Sequence, residues 1–180
     1  RAAVLFLSFA KLGLCFSRET CIIVNIHNPL PRRQEHKESG GIRMKRLLFI
    51  YNPQAGKGIV KNHLANIVDI FTKADYLVTV WPTQGKEDAT RVAARQGWWY
   101  DRVVCCGGDG TLSETVSGLL TLETPPVLGY LPAGTTNDFS RNLGLPRGLE
   151  KAALTAVEGT PRPCDMGRFN DRYFVYVAAF

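Results

Sequence analysis

At 180 residues, 45% apolar and 21% charged, the chain is long enough to fill one hydrophobic core and too apolar to be a disordered or fibrous polypeptide. Its net charge of +6 is unevenly placed: residues 1–43 hold seven Lys/Arg against three Asp/Glu, and residues 44–180 hold fifteen against thirteen. A field that weak over the main body argues against a nucleic-acid surface and leaves attraction to anionic lipid open. The cysteines, Cys15, Cys21, Cys105, Cys106 and Cys164, are odd in number and lack C-x-x-C spacing. They suggest neither a disulfide framework nor a zinc site, and a reducing, cytoplasmic compartment is expected.

Leu5 to Phe16 has the apolar character of a leader, but Lys11 interrupts it, no clear small-residue cleavage site follows, and it is too short to span a bilayer. Residues 28–43, with Pro29, Pro31, Arg32, Arg33 and Lys37, read as linker or disorder. We therefore expect 1–43 to be a non-native or disordered upstream arm, with Met44 as the true start. Ser39-Gly40-Gly41 can be encoded by a purine-rich run of the ribosome-binding type, in keeping with that expectation.

Arg46 to Tyr51 is an apolar run closed by Asn52-Pro53 and predicts a buried strand. Leu64, Ile67, Val68 and Phe71 then fall at helical spacing, with His63 among them as a solvated helix-face residue. Tyr76 to Trp81 predicts a second strand stopped by Pro82, and Ala89, Val92, Ala93 and Gln96 a weaker helix ending near Gly97. Arg102 to Cys106 is the third strand, Thr111 to Leu120 the next helix, Val127 to Leu131 the fourth strand and Leu149 to Glu158 the last helix. Short buried strands alternating with helices predict a parallel, helix-covered sheet over residues 44–160. After Gly159-Thr160-Pro161 the pattern changes. Arg162 to Phe169 and Arg172 to Ala179, separated by Asn170-Asp171, predict a hairpin in residues 161–180 that opens a different layer or domain.

Between the third strand and its helix lies Gly107-Gly108-Asp109-Gly110-Thr111. Glycine lets backbone N–H groups approach a ligand, and the helix behind adds unpaired donors and the positive end of its dipole, which together suit phosphate. Asp109 would repel bare phosphate, so its presence suggests a bridging Mg²⁺ or a positioned hydroxyl. An ordinary strand-to-helix turn is the plain alternative. A Walker A loop ending at Gly56-Lys57 is excluded because Tyr51 and Gly58 stand where Gly and Ser/Thr are needed, and a dinucleotide fingerprint from Gly108 is excluded by Ser113. Two more loops reach the same expected sheet edge: Asn52-Pro53-Gln54-Ala55-Gly56-Lys57-Gly58, and Pro132 to Arg141.

Together these loops resemble the diacylglycerol kinase catalytic domain, in particular the soluble bacterial lipid kinases, over about residues 45–180. The GGDGT turn is shared with phosphofructokinases and NAD kinases, whereas the P-x-G-T-x-N-D-F-x-R-x-L-G stretch, Pro132 to Gly144, is more specific to the lipid kinases. The resemblance implies a phosphofructokinase/NAD-kinase-like α/β domain followed by the start of a β-sandwich domain. It also implies ATP and Mg²⁺ as cofactors and transfer of the γ-phosphoryl group to a lipid hydroxyl, with diacylglycerol becoming phosphatidic acid. Carried over residue by residue, it gives nucleotide contacts at Asn52, Pro53, Gln54, Ala55, Gly56, Thr83, Gly107, Gly108, Asp109, Gly110, Thr111, Leu112, Ser113 and Thr135, with Asp109 near the metal, directly or through water. Relatives often have Asn where this chain has Ser113. For Asp138, helix N-cap and direct role stand side by side, and Lys57 is expected to be solvated. The catalytic base is expected in the later β domain, downstream of Phe180, so that this fragment alone would be inactive. Peripheral contact with a membrane lipid at the inner surface is implied, and a homodimer is left open. An NAD-kinase-like enzyme and a non-catalytic nucleotide-binding module remain the alternatives.

Overall fold

The computed structural model describes residues 20–21, 43–162, 164–169 and 172–174. The arm expectation falls on residues that, apart from 20–21 and 43, lie outside the described ones. Thr20–Cys21 pairs antiparallel with Cys164–Asp165, and Arg43 donates to Asp101 at 2.7 Å.

Four strands, β1 (Lys45–Tyr51), β2 (Tyr76–Pro82), β3 (Arg102–Gly107) and β4 (Val127–Pro132), form a parallel sheet in the order β2-β1-β3-β4. The helices between them are α1 (Ile59–Lys73), α2 (Asp88–Gln96) and α3 (Asp109–Leu119); α4 (Asp138–Asn142) and α5 (Leu149–Glu158) follow β4. Side chains of a strand alternate between faces, so each inner strand feeds two cores. Leu48, Ile50, Val103 and Cys105 pack against α2 and α3, whereas Leu47, Phe49, Val104 and Cys106 pack against Ile67 and Phe71 of α1 and Ala152 and Ala153 of α5. Near-continuous apolar runs in β1 and β3 follow from burial on both faces.

The four predicted strands and four predicted helices are present, with two differences of detail. Helix α3 begins at Asp109, two residues before the predicted Thr111, and a 3₁₀ turn, Gly97–Trp99, continues the chain where α2 was expected to stop. His63 differs more. It is half-buried, with Nδ1 2.5 Å from Glu150 Oε1, and joins α1 to α5 while about a third of its side chain stays exposed.

In the carboxyl-terminal segment, β5 (Gly167–Phe169) and β6 (Arg172–Phe174) pair antiparallel with Phe169 opposite Arg172, the register of a two-residue hairpin. Asn170-Asp171 themselves and the predicted continuation to Ala179 lie outside the described residues. Cys105 and Cys106 are free and buried, and burial pushes the Cys105 thiol up to about 12, which leaves it protonated. Among the described residues no helix is long and apolar enough to cross a membrane.

Candidate functional site

The strand register brings four chain exits to one level. Tyr51 lies opposite Pro82 of β2 and Cys106 of β3, and Gly107 lies opposite Pro132 of β4. Asn52, Thr83, Gly108 and Ala133 therefore all leave the sheet at its carboxyl edge. Backbone bonds hold them there: Asn52 N–H donates to Cys106 O at 2.9 Å, Thr83 N–H to Tyr51 O at 2.9 Å and Ala133 N–H to Gly107 O at 2.8 Å. The chain winds one way from β1 to β2 and the other way on to β3, so β1 and β3 flank the switch point of the sheet. A crevice forms there for topological reasons, and such crevices hold the ligands of open α/β sheets.

Glycine allows the loops to interlock above that crevice. A Cβ on Gly56, whose φ is +55°, would lie 2.5 Å from the Ala133 carbonyl oxygen, and one on Gly134 would lie 2.6 Å from Gly108 Cα. Neither position can take a side chain without parting two loops. Each loop is also braced internally. Gln54 N–H donates to Asn52 Oδ1 at 2.9 Å, an Asx-type turn, and Ala55 N–H donates to Asn52 O at 3.1 Å. In the third loop the Asn137 amide grips the backbone of Gly134, accepting from its N–H at 2.8 Å and donating to its C=O at 2.6 Å, from a left-handed conformation with φ 50°.

Helix α3 starts inside the GGDGT turn, and its N-cap, Gly108, supplies no side-chain bond. The first donated helical bond on this stretch is Leu112 N–H to Gly108 O, so the N–H groups before it point outward without helical acceptors. Asp109 spans two loops: its Oδ2 accepts from Asp138 N–H at 3.1 Å, whereas its Oδ1 is buried and has no hydrogen-bond partner. Leaving a buried polar atom unpaired costs about 1–3 kcal/mol, and such atoms in native folds mark places that something else completes. A carboxylate oxygen beside a row of amide donors fits a cation that in turn carries phosphate. Among the described residues no three His, Cys, Asp or Glu side chains cluster to cage a metal. A cation here would thus share its coordination with ligand oxygens and water.

Of the expected contacts, Asn52 to Gly56, Gly107 to Ser113 and Thr135 come together on this edge, and Thr83 joins them from β2. Leu112 is fully buried in the core, so only its backbone faces the turn. Ser113 is half-buried within α3, and Thr135 and Lys57 are exposed. Asp138 is not an N-cap. Asn137 holds that position and Asp138 opens α4, where Arg141 Nη1 stands 3.7 Å from its Oδ1. Two contributors escaped the sequence reading. Tyr130 donates from its hydroxyl to Gly107 O at 3.1 Å, and burial raises its pKa, keeping the donor proton. Its place in an apolar run gave no sign of this. Asp88, one residue ahead of the helix predicted from Ala89 and not singled out by it, is a buried carboxylate that accepts from Gln84 N–H beside Thr83.

A doubly wound parallel sheet with glycine loops locked over its switch point defines the class of domain, an α/β fold of the NAD-kinase-like type. The diacylglycerol kinase catalytic domain model matches residues 46–169, and the chain belongs to that family. A diacylglycerol kinase of Bacillus subtilis (strain 168) is 44% identical over 137 residues, covering 75% of this chain and 45% of that protein. One from Staphylococcus saprophyticus is 39% identical over 136 residues, with 75% and 45% covered. A crystal structure of a diacylglycerol kinase from Bacillus anthracis superposes with a TM-score of 0.65 at 34% identity, over 74% of this chain and 47% of that one. The chain spans about half the length of the relatives it matches.

Proposed function

We propose that this chain is the nucleotide-binding part of an ATP-dependent lipid kinase that phosphorylates the hydroxyl of diacylglycerol to give phosphatidic acid, a step of phospholipid metabolism. The observation that carries the reading is the Asp109 carboxylate, one oxygen tied to the third loop and the other buried without a partner, set at the head of an uncapped helix over the switch point. In this reading the N–H groups of Gly108 to Thr111 and the first-loop backbone, Asn52 to Gly56, receive the phosphates. Thr83 and Thr135 contact the nucleotide from either side. Asp109 orients Mg²⁺ directly or through water. Mg²⁺ supplies charge neutralisation on the transferring phosphoryl group, and the chain supplies position, which is most of what phosphoryl transfer requires.

The base that accepts the proton of the lipid hydroxyl is assigned to the later β domain of the full-length protein. The segment from Gly167 onward is read as the opening of that domain. Lipid is reached by peripheral adsorption from the cytoplasm, with weak net positive charge assisting. An NAD-kinase-like activity shares the GGDGT turn, but the Pro132 to Gly144 loop favours lipid.

Full-length protein incubated with γ-labelled ATP, Mg²⁺ and mixed lipid vesicles containing diacylglycerol should place label on the lipid. Label on NAD with unlabelled lipid would replace this reading by the NAD-kinase-like one. ATP binding without transfer to any acceptor would leave a regulatory module.

A further inference from the structure

Between Thr83 and α2 the chain is exposed from Gln84 to Glu87, and then dives inward at Asp88, whose side chain is only 9% exposed. Asp88 is the first residue of α2, after its N-cap Glu87, where a carboxylate ordinarily lies near the helix's own free amides. This one turns backward. Its Oδ2 accepts from Gln84 N–H at 3.0 Å and from Trp81 Nε1–H at 3.2 Å, the residues two before and one after Thr83. Its Oδ1 accepts from Arg91 Nη2 at 2.9 Å, one turn further along α2. The backbone strains to achieve this: Glu87, immediately before it, sits at φ 64°, a region that costs a non-glycine residue on the order of 1 kcal/mol. Thr83 itself is tied to the sheet by a single bond, its N–H to Tyr51 O.

We propose that Asp88 is a positioning residue for nucleotide binding, a latch that fixes the loop on both sides of Thr83 and so aims the Thr83 side chain at the nucleotide. The proposal rests on the reading of Thr83 as an ATP contact. A carboxylate suits the task because it takes three donors from three directions, the two flanking the loop and the guanidinium that keeps it charged although buried. Asparagine has the same shape but would turn an amide toward one of those donors.

The test is a double-mutant cycle in the full-length protein, with Mg·ATP affinity read by calorimetry well below the unfolding transition. Asp88→Asn and Thr83→Ala should each raise the Kd for Mg·ATP by about tenfold, and the double variant should be no worse than the weaker single one, because both remove the same contact. The KM for ATP should rise while kcat at saturating ATP stays within about twofold. Trp81→Phe removes the indole N–H together with part of a ring that packs on the core, and should raise Kd about twofold to threefold, which keeps the test open if Asp88→Asn folds poorly. An unchanged Kd in Asp88→Asn or in Trp81→Phe, or additive losses in the double variant, would overturn the latch and reduce Asp88 to a stabiliser of α2. Those outcomes leave the kinase reading standing. Wild-type protein that binds no Mg·ATP would overturn both.

Discussion

Asp109 and Gly110 are neighbours with opposite demands. Asp109 keeps a buried oxygen unpaired, so removing its charge relieves the fold while stripping the site. In the full-length enzyme Asp109→Asn should lower turnover at least about a hundredfold, the scale seen when one charge-positioning group is lost, with the thermal midpoint unchanged or raised. Near-normal turnover at saturating Mg·ATP would make Asp109 a turn residue. A Cβ on Gly110 would meet nothing within 4 Å. Gly110→Ala should therefore stabilise the helix start by about 0.5–1 kcal/mol, as alanine does for glycine at a compatible helical position. The same methyl group should raise the Kd for Mg·ATP at least about tenfold if phosphate occupies that space. A stabilised variant with unchanged ATP affinity would show the space is not used.

Among the elements, α2 and α3 cross where Gly118 meets Ala93. A Cβ at Gly118 would stand 2.8 Å from Ala93 Cβ and 3.0 Å from Ala94 N. Gly118→Ala should destabilise the domain by about 1–3 kcal/mol through overpacking, visible as a thermal midpoint several degrees lower. On the opposite face, His63 and Glu150 join α1 to α5, and the hydrogen bond from His63 holds the Glu150 carboxyl below its ordinary value of 4.5. A depressed folded pKa contributes stability above the unfolded value and loses it as pH falls through the folded one. Glu150→Gln should lower the melting midpoint by roughly 1–3 °C at pH 6, since a surface pair contributes little. The difference should shrink as pH falls below 4.5 and close once pH has passed below the lowered folded value, where both proteins carry a neutral side chain. A gap that is constant with pH would assign the effect to packing.

For the whole molecule, the function proposed above has this site bind nucleotide and a further domain complete transfer, and the family match is what supports it. The 180-residue chain alone should bind Mg·ATP weakly and leave diacylglycerol unlabelled, because efficient transfer needs a base to take the hydroxyl proton. A monodisperse 180-residue chain that phosphorylates diacylglycerol would relocate that base into the residues described. Much of the architecture was legible beforehand. Apolar runs and three-four spacing located four strands and three of the four helices to within a residue or two, Leu149–Glu158 to both ends, whereas α1 was marked only from Leu64 and begins at Ile59; such patterns are written by residues a few positions apart. The start of α3 was missed by two residues because Gly110 reads locally as turn rather than helix.

The sequence by itself determined the elements, their parallel alternation and the three loops that would carry the site. Only the tertiary structure decided the strand order β2-β1-β3-β4, which puts the Asn52 and Gly108 exits on adjacent strands. Only there do Gly56 and Gly134 acquire their purpose, since the atoms they make room for, the Ala133 carbonyl oxygen and Gly108 Cα, come from other loops. The same holds for Asp138 N–H on Asp109, Tyr130 on Gly107 and His63 on Glu150. Local periodicity is set by neighbouring side chains, whereas these contacts join residues 23 to 87 positions apart. Their partners become defined when the crossovers lay the strands side by side, and no spacing along the chain encodes them.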